Sequence, residues 1–240
     1  MKQSVFDYLM RDRMANIDML ELLPLPDAEV VLASDNGVLL RHDNLFLLAS
    51  EPGRAAEFLP PMTRDLSGGG ERLVILHNAE LKDTLEQDYG FAPVMDCYHA
   101  VYPSKESLAY ALPDGAEIRR LDLSHLGFVH AHYRTVDDVG YLRERIEDGM
   151  FGVFFRGEIV GFAGTHDERS MGLLEILPEY RRLGLAYCLE AHLINHLLSL
   201  GRVPFCQVSI RNEPSIALQR KAGMEISAAV IHWLIYGRNR

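Results

Sequence analysis

The stretch Leu174-Glu-Ile-Leu-Pro-Glu-Tyr-Arg-Arg-Leu-Gly-Leu-Ala186 contains the transition from a predicted strand to a predicted helix. Its apolar run ends at Pro178, the basic pair Arg181 and Arg182 follows, and Gly184 precedes a long amphipathic run. The first N–H groups of a helix have no partner within the helix, and the helix dipole is positive at that end. The stretch therefore predicts a site for a phosphate-bearing ligand.

The spacing Arg181-x-x-Gly184-x-Ala186 differs from both common nucleotide-binding patterns. No Gly-Lys-Ser/Thr follows, and the glycines do not form Gly-x-Gly-x-x-Gly. Gly184 lets the backbone approach a ligand closely, and Ala186 keeps the first turn of the helix uncrowded. Taken alone, the pattern is also compatible with a plain helix start that carries two solvated arginines.

The elements around this stretch follow the order strand, two helices, three strands, helix, strand, helix, strand. Hydrophobic periodicity and turn residues set their limits. The predicted strands cover residues 117–121, 151–155, 158–163, 171–177, 204–210 and 226–236, and the predicted helices cover 123–133, 137–148, 185–200 and 214–221.

A second segment, Asn212-Glu-Pro-Ser-Ile-Ala-Leu-Gln-Arg-Lys-Ala-Gly-Met224, follows about thirty residues after the first. Together the two segments resemble the signatures of the GNAT superfamily of acyl-CoA N-acyltransferases, in the family's order. Residues 129–186 look most like the glycine N-acyltransferase branch of that superfamily. The resemblance covers about half of the chain, from residue 117 to residue 240.

The resemblance implies a mixed, mostly antiparallel sheet flanked by helices, an α/β (α+β) fold, with coenzyme A or acetyl-CoA as cosubstrate and no metal. In this family the motif strand and the next strand splay apart, and the coenzyme lies between them. The backbone N–H groups near Ile176 and Leu177 are then expected to bind the thioester oxygen. The residues expected to bind the coenzyme are Ile176, Leu177, Arg181, Arg182, Leu183, Gly184, Leu185, Ala186, Asn212, Ser215, Gln219 and Lys221.

Attack of an amine on a thioester needs a base, because an amine is mostly protonated at neutral pH. Family members often place this base eleven residues before the motif arginine, which is Ser170 here and is not a base. Side chains alternate between the two faces of a strand. If the strand extended back to residue 168, Glu168 would lie on the same face as residues 170, 172, 174 and 176, and His166 has the same parity. The candidates in order are Glu168, Glu175 and His166, each of which could also be an ordinary turn or hydrogen-bonding residue.

A second departure is Gln219, which stands where many family members carry the tyrosine that protonates the leaving thiolate. An amide cannot act as an acid. A bound water or another tyrosine is then needed, or the thiolate leaves unassisted.

His192 and His196 are four residues apart on one predicted helix, which is a spacing found in metal sites. With Asn195 and Ser199 they form a polar stripe opposite the apolar side of that helix. We interpret this stripe as a solvated face, so the sequence predicts no metal site there.

The composition is that of an ordinary globular protein, with 240 residues of which 48% are hydrophobic. The formal net charge of −10 disfavours nucleic acid and anionic membranes as partners. Three cysteines in no disulfide or metal spacing favour a cytoplasmic protein. Residues 1–25 mix charged side chains into an apolar pattern, which is typical of an amphipathic helix and not of a signal peptide or membrane span.

The first half of the chain, residues 1–115, is predicted to be a smaller α/β domain, and residues 116–240 to be the catalytic domain. Its helices are predicted at 4–22, 53–59 and 80–89, and its strands at 29–33, 38–41, 45–49, 72–76 and 92–102. A degenerate GNAT-like half is compatible with this order. Because the first half lacks the Arg-x-x-Gly-x-Gly/Ala pattern, we expect it to shape the acceptor site or to form homodimer contacts.

The predicted function is transfer of an acyl group from acetyl-CoA or another short acyl-CoA to the amine of a small molecule or amino acid. The alternative is a module that senses coenzyme A or its esters without turnover, which the departures at Ser170 and Gln219 favour.

Overall fold

The computed structural model describes residues 2–66 and 70–237. The chain forms two compact units. The first comprises residues 1–99, 208–213 and 226–240, and the second comprises residues 100–207 and 214–225. The predicted division after residue 115 stays a prediction, since each compact unit includes segments from both halves of the sequence.

Eight helices and eleven strands make up the regular structure of the described residues. The helices are α1 (Lys2–Leu9), α2 (Ile17–Leu22), α3 (Leu59–Thr63), α4 (Lys82–Tyr89), α5 (Leu126–His132), α6 (Val139–Gly149), α7 (Leu185–Ser199) and α8 (Glu213–Lys221). The strands are β1 (Glu29–Ser34), β2 (Gly37–His42), β3 (Leu45–Ser50), β4 (Arg72–Leu76), β5 (Ala92–Val101), β6 (Ala116–Arg120), β7 (Phe151–Phe155), β8 (Glu158–Thr165), β9 (Met171–Ile176), β10 (Phe205–Ser209) and β11 (Glu225–Tyr236).

In the first unit the strands are ordered β1-β2-β3-β4-β11-β5. Alternate side chains of β2 and β3 enter two separate hydrophobic clusters, so both faces of this sheet are covered. Leu40 and Leu47 belong to the cluster beneath α1 and α2, whereas Leu39 and Leu48 belong to the cluster that contains Phe58. Burial on both faces explains why these strands read as nearly continuous apolar runs.

The parallel strands β3 and β4 stay paired along their length, with four Cα partners from Leu45↔Leu73 to Leu48↔Leu76. The N–H of His77 extends this pairing by donating to the carbonyl of Leu48 at 2.9 Å. No gap therefore opens between these two strands.

A buried polar cluster lies directly after β4. His77 and His99 place their Nε2 atoms 3.1 and 3.3 Å from Oδ2 of the fully buried Asp18, and His77 Nδ1 lies 2.9 Å from Asn16 Oδ1. Burial by itself raises the pKa of Asp18, but the charges and hydrogen bonds of the two histidines outweigh burial and hold that pKa well below its usual range. Asp18 is therefore a buried carboxylate stabilised by two imidazoles.

In the second unit the order is β10-β9-β8-β7-β6. Strands β6 to β9 are antiparallel, and β10 is parallel to β9. Helices α5 and α6 cover Phe154, Phe162 and Leu173 in one hydrophobic cluster, and α7 packs against β7, β8 and β9. The mixed α/β fold predicted from the sequence is confirmed.

The predicted order of elements is confirmed in both halves of the chain, and most boundaries lie within two residues of the prediction. The predicted helix at 4–22 is wrong in its continuity. It is divided into α1, a short 3-10 turn at Met10–Asp12, and α2. The Asn16 amide donates to the Leu9 carbonyl at 3.0 Å, so a buried side chain caps the interruption that amphipathic spacing alone did not reveal.

Candidate active site

A bulge interrupts β9 in its middle. Phe162 pairs with Glu175 and Gly164 pairs with Gly172, so β9 has one more residue than β8 between these two pairs. Leu173, within the bulge, has a φ of 53°, which is unusual for a residue other than glycine. A bulge bends its strand and increases the local twist. It therefore turns the second half of β9 away from a regular sheet.

Strands β9 and β10 separate after their first contact. Their register contains a single Cα pair, Met171↔Cys206, at the start of β9. This contrasts with the four pairs between the parallel strands β3 and β4. The side of β9 that follows Met171 is consequently not covered by β10, and a gap of the kind predicted from the resemblance lies beside it.

The backbone direction along β9 determines which N–H groups face this gap. The N–H of Leu177 donates to the Val160 carbonyl at 2.9 Å and so points towards β8. Backbone groups alternate between the two sides of a strand, so the N–H groups of Leu174 and Ile176 point the other way. The prediction for the Leu177 N–H is therefore wrong, because β8 already occupies it. Leu174 and Ile176 provide the amides that face the gap.

The turn after β9 uses two residues with positive φ. Arg182 has a φ of 69° and Gly184 a φ of 82°, and Gly184 then serves as the N-cap of the fifteen-residue helix α7. Glycine forms no side-chain cap, so the first N–H groups of α7, those of Leu185, Ala186 and Tyr187, have no partner from a cap. These donors and the positive end of the helix dipole form a site for an anion.

A cleft of about 290 Å³ lies at this helix start. Its lining comes from the end of β9, the motif turn, the first turn of α7, and α8. The lining residues are Ile176, Tyr180, Arg181, Arg182, Gly184, Leu185, Ala186, Tyr187, Leu218 and Lys221.

Positive charge is concentrated in the cleft although the chain as a whole is acidic. Lys221 lies with its Nζ 4.7 Å from the centroid of the Tyr187 ring, a cation–π contact that places the ammonium next to the helix start. Arg181 donates from Nε to the Ile176 carbonyl at 2.9 Å and from Nη2 to Glu175 at 2.8 Å. Arg182 and Lys221 are both exposed, so a bound anion can reach them from solvent.

The structure brings together seven of the twelve residues predicted to bind the coenzyme, namely Ile176, Arg181, Arg182, Gly184, Leu185, Ala186 and Lys221. The side chain of Leu183 is 46% exposed and points out of the motif turn. Gln219 is 3% exposed and lies behind the cleft, against Glu190. Asn212 belongs to the first unit, and Ser215 lies on α8 one turn before Leu218. Neither is among the residues that line the cleft, so their roles stay predictions.

Sequence reasoning missed Tyr180, Tyr187 and Leu218 as lining residues. Tyr187 lies three residues after Gly184, within the first turn of the helix, so the motif itself indicated its place. Leu218 and Lys221 are three residues apart on α8 and share one face of that helix. The exposure of that face to the cleft could not be inferred before α8 was placed beside α7.

Two of the three predicted base candidates, His166 and Glu168, lie near the other end of β9, whereas Glu175 is next to Ile176 at the cleft end. This strand begins at Met171, and residues 166–170 form a tight turn in which the His166 N–H donates to the Ser170 carbonyl at 2.9 Å. The parity argument for Glu168 is therefore wrong, because residue 168 belongs to the turn and the bulge at Leu173 breaks the alternation further along.

Glu168 is nonetheless in a distinctive environment. Its side chain is only 7% exposed, and the hydroxyl of the buried Ser170 donates to its Oε1 at 2.5 Å. Burial raises the pKa of Tyr133 and of Tyr141, and the charge of Glu168 raises both further. The phenols therefore stay protonated beside a buried carboxylate, and Ser170, at the position where the resemblance implies a base, is a partner of that carboxylate.

His166 is held as a structural residue on two sides. Its Nδ1 lies 2.6 Å from the Tyr141 hydroxyl, and a Cβ on Gly172 would come within 2.4 Å of its Nε2. The imidazole thus packs directly over Gly172. The protonated phenol of Tyr141 can donate to Nδ1, so the geometry favours the tautomer with hydrogen on Nε2. In that tautomer the Nδ1 lone pair accepts from Tyr141, and neither ring nitrogen is free to take a proton.

Glu175 is occupied by the motif arginine. Its carboxylate accepts from Arg181 at 2.8 Å, and its side chain is 31% exposed. The charge of Glu175 also raises the pKa of Tyr133, so Glu175 and Glu168 both lie near that phenol. The structure therefore gathers Glu168, Glu175 and His166 around Tyr133 and Tyr141, and Glu168 is the buried carboxylate among them.

The polar stripe on α7 is not a solvated face, contrary to the prediction. Asn195 exchanges two hydrogen bonds with the backbone of Leu108, at 2.7 and 2.9 Å, and His192 Nδ1 lies 2.7 Å from the Tyr110 hydroxyl. The segment at residues 108–111 thus runs along α7. Burial lowers the pKa of His192 as a consequence.

Gly161 supports the part of β9 that presents its amides to the gap. A Cβ at this position would lie 2.5 Å from the Glu175 carbonyl oxygen and 2.5 Å from Ile176 Cδ1. We expect Gly161→Ala to lose roughly 1–3 kcal/mol of unfolding free energy, because backbone must move to accept the methyl group. We also expect weaker binding of ligand in the gap.

Urea denaturation and coenzyme A titration of this variant test both effects. Gly164→Ala is the matched control, since its Cβ would meet side chains only at ordinary contact distances of 3.4 Å or more. Equal stability of the two variants would show that Gly161 does not hold β9 in place.

The family model described as FR47-like protein matches residues 152–233, which include the motif turn and the cleft. Among solved structures, a Drosophila protein has a TM-score of 0.71 at 17% identity and covers 98% of this chain and 95% of its own. A GCN5-related N-acetyltransferase from Kribbella flavida has a TM-score of 0.62 at 15% identity, with 95% of each chain covered.

A tandem GNAT protein from the clavulanic acid biosynthesis pathway is also similar, with a TM-score of 0.53 at 12% identity, over 97% of this chain and 94% of its own. No curated protein sequence matches this chain. At these identities the likeness to the solved structures establishes the fold. The chain has the GNAT fold.

Two further observations concern partners. None of the helices in residues 2–66 and 70–237 is long and apolar enough to cross a membrane. Across the same described ranges, no three His, Cys, Asp or Glu side chains form a group suited to a metal ion.

Proposed function

We propose that the protein is an N-acyltransferase that moves an acyl group from acetyl-CoA or another short acyl-CoA to the amine of a small acceptor. One observation carries this proposal: Ile176, at the end of β9 that β10 does not pair with, lines the same cleft as the anion-binding start of α7. A coenzyme with a diphosphate and a long extended arm fits such an arrangement.

In this proposal the pyrophosphate binds the N–H groups of Leu185, Ala186 and Tyr187, with Arg182 and Lys221 as neutralising charges. The arm then lies along β9 towards Met171. The reactive end of the coenzyme consequently lies beside the middle of β9, between the cleft and the turn at residues 166–170.

The backbone of β9 supplies the groups that hold the thioester. The Ile176 N–H faces the gap and is placed to bind an amide of the arm. The Leu174 N–H, nearer the bulge, is placed to donate to the thioester oxygen. A preorganised donor of this kind stabilises the oxyanion that forms as the amine attacks.

We assign the role of base to Glu168, which would take a proton from the acceptor's ammonium group directly or through water. The acceptor's positive charge suits the surroundings of Glu168. Arg145 pairs with the neighbouring Asp167 at 2.6 Å, whereas Glu168 accepts a hydrogen bond from the uncharged Ser170. The neutral phenols of Tyr133 and Tyr141 add hydrogen-bonding groups and aromatic faces. Coenzyme A thiolate is a stable leaving group, since thiols have pKa values of about 8.5.

The acceptor class rests on the resemblance of residues 129–186 to the glycine N-acyltransferase branch, so a small amine or amino acid is proposed. The first half repeats the order that follows β6 in the second half: two helices, three antiparallel strands, a helix, a parallel strand, a helix and a strand. This repetition supports a degenerate GNAT-like first domain at residues 1–115, with a role in shaping the acceptor site or in homodimer contacts. A cytoplasmic location is proposed from the three free, buried cysteines.

The test is release of free thiol when the protein is mixed with acetyl-CoA and a panel of small amines. We expect thiol release that depends on both the protein and one class of amine, with the amine-free mixture as blank. Thermal stabilisation by coenzyme A without thiol release for any amine would instead support a sensor. If coenzyme A neither stabilised the protein nor released thiol, the proposed function would be wrong.

A further inference from the structure

Glu190 is a carboxyl group buried in the second unit without a charged partner. It lies on α7, four residues after Ala186, which places it on the same face of the helix as that cleft residue. Its side chain is 4% exposed, and it contacts Gln219 on α8, which is 3% exposed. The two residues thus meet between the helices that form the walls of the cleft, one turn deeper than its lining.

Hydrogen bonding between the two side chains is incomplete. The Gln219 amide lies close enough to the Glu190 carboxyl group to lower its pKa, yet Glu190 Oε1 and Gln219 Oε1 have no donor among residues 2–66 and 70–237. Both orphan atoms are acceptors, so a single added proton can satisfy both. A protonated carboxyl group has one O–H donor and can form a two-way pair with an amide. Unsatisfied buried acceptors cost free energy, which favours this protonated form.

Burial raises the pKa of Glu190 to about 7, although the hydrogen bond from Gln219 acts in the opposite direction. No charged side chain of the described residues contributes to this shift. Glu190 is therefore neutral in a large fraction of molecules at neutral pH, which agrees with the count of donors and acceptors.

We propose that Glu190 is a positioning residue for the coenzyme: as a neutral acid paired with Gln219, it fixes α8 against α7 and so sets the width of the cleft. This inference rests on the proposed coenzyme A site. Gln219 in turn lies between Leu218 and Lys221, which line the cleft from α8. Ionisation of Glu190 leaves two carboxylate oxygens facing the Gln219 carbonyl oxygen, and the helix pair loosens.

The sign of the pH dependence follows from linkage. The folded-state pKa of Glu190 lies above that of an exposed glutamate, so the neutral group stabilises the folded protein at low pH. This stabilisation decreases as pH rises from about 4.5 to about 7, and stability does not change further above that pH. Coenzyme binding favours the neutral form further. Affinity for coenzyme A should therefore fall as pH rises above about 7.

The decisive experiment titrates coenzyme A calorimetrically into wild type and Glu190→Gln from about pH 6 to about pH 8.5. An amide at residue 190 keeps the two-way pair with Gln219 at every pH. We expect wild-type affinity to fall about tenfold relative to the variant over this range. Comparing the two proteins removes the titration of the coenzyme's own phosphate. Glu158→Gln, a loss of the same charge from an exposed position on β8, should follow the wild-type profile.

Melting temperatures separate positioning from a purely structural role. Glu190→Gln should melt above wild type by an amount that grows up to about pH 7 and then stays level. A gain in melting temperature with parallel affinity profiles would overturn the inference and leave the proposed function intact. Absence of coenzyme A binding in both proteins at every pH would overturn the proposed function and the inference with it. If Glu190→Gln does not fold, Gln219→Met should weaken binding already at pH 6, and unchanged affinity there would equally overturn the inference.

Discussion

Gly184→Asp is expected to bind coenzyme A about 100-fold more weakly than wild type, a difference of about 2.7 kcal/mol. Gly184 caps α7 with a φ of 82°, and a Cβ there would meet no protein atom within 4 Å. The new side chain therefore has room in the free protein, but it occupies the place of the pyrophosphate. A carboxylate about 5 Å from a phosphate charge costs roughly 3 kcal/mol at an effective dielectric constant of about 20. Calorimetric titration measures the change.

Two control variants separate charge from backbone strain. Gly184→Asn has nearly the same shape and the same positive-φ cost without the charge, so we expect it to bind more tightly than Gly184→Asp. Gly201→Asp carries the charge at the other end of α7, where the glycine also has a positive φ of 70° and open space around it. Its coenzyme affinity should equal that of wild type. Undiminished binding by Gly184→Asp would show that the pyrophosphate lies elsewhere.

Glu168→Gln is expected to lower kcat for acyl transfer by about 100-fold or more, the usual contribution of a general base. Its affinity for acetyl-CoA should stay within about twofold of wild type, since Glu168 lies at the turn before β9 and not in the anion cleft. The amide keeps the volume of the side chain and still accepts a hydrogen bond from Ser170. Steady-state kinetics with a responsive amine, together with acetyl-CoA titration, measures both quantities.

The matched comparison is Glu175→Gln on β9. That carboxylate already pairs with Arg181, so its removal should affect coenzyme affinity more than kcat. If Glu175→Gln lost most of its kcat and Glu168→Gln kept the wild-type kcat, the base would be Glu175. The role assigned to the buried carboxylate would then be wrong.

Much of the fold was predictable because short stretches of sequence indicate where each helix and strand begins and ends. The predicted strands 151–155 and 158–163 leave only Arg156 and Gly157 between them, and both residues have positive φ in the hairpin of the structure. The motif at Arg181 to Ala186 was equally readable, since its function depends on consecutive residues at one helix start. Anion binding by a helix start is a local property, which is why sequence reasoning found most of the cleft.

The bulge in β9 could not be predicted from sequence. Leu173 adopts a positive φ that leucine rarely takes, and nothing in an apolar run marks such a position. This single residue shifts the alternation that was used to rank Glu168. It also determines which amides face the gap, and so replaces Leu177 with Leu174 as an amide donor. The ranking of Glu168 now rests on its burial and its bond with Ser170.

Tertiary contacts determine which polar side chains of α7 are exposed to water, on two faces of the helix. The stripe containing His192 and Asn195 is polar because residues 108–110 bond to it, a contact between parts of the chain more than eighty residues apart. Glu190 is likewise removed from water, since it is buried against Gln219 on α8. In each case a distant segment decided whether a polar side chain meets water.

The central claim is that coenzyme A binds along β9 and at the start of α7. Amide chemical shifts in a ¹H–¹⁵N correlation spectrum, recorded as coenzyme A is added, test it most directly. The account predicts that the signals of Leu174, Ile176, Leu185, Ala186 and Tyr187 move together and saturate, whereas those of β3 and β4, which have no gap between them, stay in place. Saturable shifts confined to other residues, with these five signals unmoved, would contradict it.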